Sequence, residues 1–62
     1  MAVGPELSSI NTQLEGLVQR ISGLAGDLTA STREDAANAL YEVERLLESA
    51  QRRLEQVVDM LI

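Results

Sequence analysis

The 62-residue chain has no cysteine, histidine, lysine, phenylalanine or tryptophan. Without cysteine there are no disulfides and no thiolate ligands, and without histidine the usual zinc sets are missing as well. The missing histidine also removes the commonest general base, and with no lysine either, no side chain is suited to activate a hydroxyl nucleophile. No glycine-rich phosphate loop is present. Catalysis, a metal and a cofactor are therefore not expected. No apolar run approaches the ~18 residues of a membrane-spanning helix. The start, Met1-Ala2-Val3-Gly4-Pro5-Glu6, lacks the charged and long apolar regions of a signal peptide. The expectation is a cytoplasmic protein with no membrane partner. The five basic residues, all arginine, face ten acidic ones for a net charge of −5. Such a chain repels a phosphate backbone, so no nucleic-acid partner is expected. Arginine without lysine, beside many Ala, Gly, Val and Glu, suggests a GC-rich bacterial genome.

A chain this short buries only about 60% of its unfolded surface. A core of this size seldom supplies more than ~3–5 kcal/mol without disulfides, a metal or a partner chain. Composition has removed the first two, and a partner chain remains. Apolar residues make up 45% of the chain, an ordinary globular value that argues against disorder.

Those apolar residues recur at alternating spacings of four and three. The first stripe is Val3, Leu7, Ile10, Leu14, Leu17, Ile21, Leu24 and Leu28. The second is Ala36, Leu40, Val43, Leu47, Ala50, Leu54, Val57 and Leu61. Both are unbroken heptad seams, the pattern of helices packed at a shallow angle. On the second helix Ala37, Ala39, Leu46, Val58 and Met60 widen the stripe beyond what a two-stranded seam needs. Pro5 suits a first helical turn. Gly26 reads as the residue that ends the first helix, and Ser31-Thr32-Arg33-Glu34 as a capping box opening the second. The chain is therefore expected to be one all-α domain over residues 1–62, an antiparallel coiled-coil hairpin. Its helix 1 is placed at about 5–26, the turn at 27–31 and helix 2 at 32–61. The stripes match end to end, with Leu24 opposite Leu40, Leu17 opposite Leu47, Leu14 opposite Ala50 and Ile10 opposite Leu54.

A lone hairpin would leave one side of this stripe open to water, a larger apolar strip than monomers usually show. Doubling by a two-fold axis covers it, so a homodimer forming a four-helix bundle is expected. The self-association core would be Leu7, Ile10, Leu14, Leu17, Ile21, Leu24 and Leu28 with Ala36, Leu40, Val43, Leu47, Ala50, Leu54, Val57 and Leu61. In length and helix pattern the architecture resembles the RNA-binding repressor-of-primer proteins of plasmids, two-helix hairpins dimerised into a bundle. Members of that family read RNA with a basic and aromatic face on the first helix. Here that helix offers Arg20 as its one basic residue and no aromatic, so RNA binding is not implied.

The i,i+4 carboxylate pairs Glu44/Glu48 and Glu55/Asp59 lie off the seam and read as solvated charge. Arg45, Ser49, Arg52 and Gln56 form an outward stripe that could grip a phosphate or an acidic partner. The spacing Ser49-x2-Arg52-x3-Gln56 resembles part of the cyclic-dinucleotide motif of some actinobacterial anti-sigma coiled coils. The acidic ends of that motif do not match, since 45 is Arg and 60 is Met. Ordinary ion pairing, such as Glu48 with Arg52 at i,i+4, accounts for the same residues. Tyr41 sits off the seam as a rim residue. The expected function is a non-enzymatic oligomerisation or adaptor module that self-associates through the apolar stripes; the alternatives are a regulator binding a nucleotide or protein through the arginine stripe, and a hairpin completing a bundle with a different protein.

Overall fold

The computed structural model describes residues 2–61. It is an antiparallel helical hairpin of α1 (Val3–Ala30) and α2 (Glu34–Leu61), each 28 residues long. Each helix rises about 42 Å. Among the described residues there is no strand, and no helix is long and apolar enough to cross a membrane.

Pro5 lies in the first turn of α1, as its missing N–H allows. The turn differs from the expectation. Helix α1 runs four residues past Gly26, to Ala30, so Gly26 is an interior helical residue and the turn is residues 31–33 rather than 27–31. Helix termination falls to Thr32, whose φ is 67°. The Thr32 N–H donates to the Thr29 carbonyl (3.2 Å) and the Arg33 N–H to the Leu28 carbonyl (2.9 Å). This is the paired bonding of a Schellman motif, with threonine in the left-handed position usually held by glycine. Interior glycine costs only about 1 kcal/mol relative to alanine, and the turn that follows carries the half-buried Leu28.

The capping box is likewise not formed. Ser31 closes α1 instead, its hydroxyl donating to the Leu28 carbonyl at 3.0 Å. Helix α2 begins at Glu34 rather than 32, with Arg33 before it supplying the carbonyl that accepts the Ala37 N–H. Glu34 and Asp35 do occupy the first turn, where the positive end of the helix dipole favours them. The Asp35 carboxyl is held below its ordinary pKa by the Ala36 N–H and then by the Arg33 guanidinium, 3.3 Å away.

The helices meet along a line rotated by one residue from the expected seam. Leu7, Leu14, Ile21, Leu28, Leu40, Leu47 and Leu54 face the partner helix and are half-buried. Their companions are Asn11, Val18, Ala25, Ala37, Glu44, Gln51 and Val58, each buried or half-buried, in place of the expected Ile10, Leu17, Leu24, Ala36, Val43, Ala50 and Val57. Ala25 and Ala37 are fully enclosed, so small side chains draw the helices together near the turn. Lower down, the Gln51 side-chain amide donates to the Asn11 carbonyl at 3.4 Å. That contact sets 51 beside 11, within a helical turn of the expected pairing of Leu14 with Ala50.

Candidate interaction surface

Rotation of the seam divides the expected self-association core in two. One part holds the hairpin together. The other, Ile10, Leu17, Leu24, Val43, Ala50, Val57 and Leu61, is exposed, and Ala36 is half-buried. Leu24 is 58% exposed, and beside this column Leu46 and Met60 are 63% and 80% exposed.

Helical geometry places these residues on one side of the hairpin. Ile10, Leu17 and Leu24 each precede a seam residue of α1 by one, and Val43, Ala50 and Val57 each precede one of α2. In an antiparallel pair those two flanks point the same way. The opposite flanks, which follow seam residues by one, confirm the sense. Glu15, Glu48 and Glu55 line a common shallow groove of about 370 Å³ with Val18, Gln19, Gln51 and Arg52. The hairpin thus has one apolar face and one acidic face.

The inner seam, two columns wide on each helix, is not wholly apolar. It carries Asn11, Glu44 and Gln51, and the Asn11 side-chain oxygen Oδ1 is buried without a hydrogen-bond partner. The outer face has no polar residue in its central columns. Among the described residues Val18, Ala25 and Ala37 are the buried hydrophobics, and no large side chain is fully enclosed. Val18 and Ala25 were not legible as core, because Asn11 interrupts their column in the sequence.

The arginine stripe is not gathered into a cationic site. The Arg45 guanidinium pairs with Glu42 one turn earlier. Arg52 lies in the groove with three glutamates, surroundings that disfavour a phosphate. Ser49 is half-buried and Gln56 exposed. The expected Glu48–Arg52 pair is not formed. Among the described residues the ion pairs are Arg45–Glu42 and Arg33–Asp35. Tyr41 is exposed, and no cluster of three or more His, Cys, Asp or Glu side chains is placed to hold a metal among the described residues.

Fold and surface together define a helical hairpin with an uncovered apolar face. The chain is similar to the signal transduction histidine-protein kinase/phosphatase MprB of Mycolicibacterium vanbaalenii, with 35% identity over 52 residues. The match takes in 84% of this chain and 11% of that protein's length. No family model and no solved structure matches the chain.

Proposed function

We propose that the chain is a non-enzymatic oligomerisation or adaptor module whose apolar face closes on a second copy to give a four-helix bundle. The observation that carries this reading is the run of exposed Ile10, Leu17, Leu24, Val43, Leu46 and Val57 along one side of the hairpin. Asn11, Glu44 and Gln51 dilute the contact inside the hairpin, while the central columns turned to water are apolar between rims that carry Glu6, Gln13, Arg20, Asp27 and Arg53. A two-helix chain whose large side chains are at best half-buried has little stability of its own. The face has the dimensions of an interface. The whole side of the hairpin that carries it measures 48 by 14 Å between Cα atoms, on the order of 700 Å² in projection, against ~800 Å² per partner in a standard complex. Net charge supports the same side, because two acidic faces repel each other.

A second reading draws on the similarity to a signal-transduction kinase/phosphatase. There the same face completes a bundle with a helical segment of a different signalling protein. The chain has no histidine, so it offers no acceptor for phosphoryl transfer to that residue.

Sedimentation equilibrium at micromolar concentration separates the readings. Self-association gives twice the chain mass of 6.7 kDa. A folded, helical monomer overturns the homodimer and leaves the second reading.

A further inference from the structure

We infer that the second copy packs with its turn at the same end as the first, so that α1 of each chain rests on α2 of the other. This rests on the self-association reading and specifies its geometry. Two hairpins related by a two-fold axis can bring their apolar faces together in two ways. With the axis along the hairpin, both turns lie at one end and unlike helices stack. With the axis across it, the turns lie at opposite ends and like helices stack. Neighbouring helices run antiparallel in both, so polarity does not choose between them. Side-chain volume and charge do.

In the central columns of the apolar face α1 contributes Ile10, Leu17 and Leu24, while α2 contributes the smaller Val43, Ala50 and Val57, with Leu46 and Met60 at its rim. Stacking like on like sets Leu17 against Leu17 of the second copy and Ile10 against its Leu24. That half is crowded, while Val43 over Ala50 leaves the other half underfilled. Crowding and voids both destabilise a core. Stacking unlike helices sets Ile10, Leu17 and Leu24 over the column of Val43, Ala50 and Val57, large over small, the arrangement that reaches native density.

The rim gives an independent argument. Arg20 and Asp27 flank Leu24 at the edge of the face, and Glu6 lies on the same edge nearer the start of α1. The axis that sets Leu17 on Leu17 brings Glu6 within one residue of the level of Asp27 of the second copy. Symmetry repeats that like-charge pair. With unlike helices stacked, this edge instead faces Ala39, Leu46, Arg53 and Met60, which carry no acid.

The chain has no cysteine, so a single introduced thiol reports the geometry cleanly. Ser31→Cys, at the exposed turn, is labelled with a nitroxide, and the distance between labels is read by dipolar electron paramagnetic resonance, with mass measured on the same sample. Turns at one end give a dimer with labels roughly 20 Å apart, about two helix spacings. A dimer with labels near the full 48 Å length of the hairpin overturns the inference and leaves self-association standing. A monomeric mass without dipolar coupling overturns both.

Discussion

Replacing Thr32 by glycine should stabilise the protein. Thr32 holds a φ of 67° because the Schellman bonds from its own N–H and that of Arg33 require a left-handed residue there. For a residue with a Cβ this conformation costs roughly 1–2 kcal/mol, and a β-branched side chain is among the least suited to it. The Thr32 hydroxyl donates to the Ser31 carbonyl, but that bond lies at an exposed turn where water competes for both groups. Glycine removes the strain, and its greater freedom in the unfolded chain takes back about 0.5–1 kcal/mol. The expected net gain is about 0.5–1 kcal/mol per chain, a rise of several degrees in the unfolding midpoint at ~4–8 °C per kcal/mol for small domains. Thermal and urea unfolding followed by circular dichroism at fixed chain concentration measure it. Thr32→Ala is the control, since it keeps the Cβ and should gain less than glycine does. A Thr32→Gly midpoint at or below that of the parent chain would refute the assignment of helix termination to this residue.

Three further outcomes are expected. Gly26 lies inside α1 with open space where a Cβ would stand, so Gly26→Ala should raise stability by about 0.8–1 kcal/mol; a loss in urea unfolding would place Gly26 at a helix end after all. Leu17 is exposed in the single hairpin yet central to the proposed interface, so Leu17→Asp should abolish the dimer, with helical circular dichroism falling at the same concentration, because an unpaired charge is not tolerated in the bundle core; a helical monomer would show that the hairpin stands alone. The Asp35 pKa is lowered in the folded chain, so its ionised form adds stability above the ordinary aspartate value of about 3.9, lost as pH falls through the lower folded value. Asp35→Asn should accordingly be less stable than the parent chain at pH 7, with the difference closing as pH falls below the ordinary aspartate range in parallel urea titrations; a gap independent of pH would contradict the shift.

The helices and their antiparallel pairing were legible because Leu7, Leu14, Ile21 and Leu28 answer Leu40, Leu47 and Leu54 at heptad spacing, and hydrophobic period is a local property. Which neighbouring column completes the seam was not legible. Ile10, Leu17 and Leu24 look like better core than Asn11, Val18 and Ala25 by hydrophobicity alone. The choice is made by close approach of the helices at Ala25 and Ala37 and by the Gln51 contact to Asn11, which are tertiary facts. The turn was misread for a related reason. Gly26 carries the usual signature of a helix end, but backbone hydrogen bonds at residues 31–33 decide the end, and a threonine is no signal for a left-handed residue. The exposed apolar face was therefore legible in its residue types and not in its boundary. The sequence implied one stripe serving both contacts, whereas the structure separates a holding seam from an uncovered face.

The turn of residues 31–33 also bears on how such a bundle would assemble in time. A connection this short keeps the helices in constant mutual reach, and loop closure over about ten residues already takes only ~10–100 ns. Pairing of α1 with α2 is then a fast, first-order event whose rate is indifferent to dilution. Meeting of two chains is second-order, with association constants for ordinary protein pairs of about 10⁵–10⁷ M⁻¹s⁻¹. At micromolar chain concentration that step takes on the order of 0.1–10 s, orders of magnitude longer than closing the hairpin. Acquisition of stable structure would thus follow the supply of chains, making the amount of protein present a control on when the bundle exists.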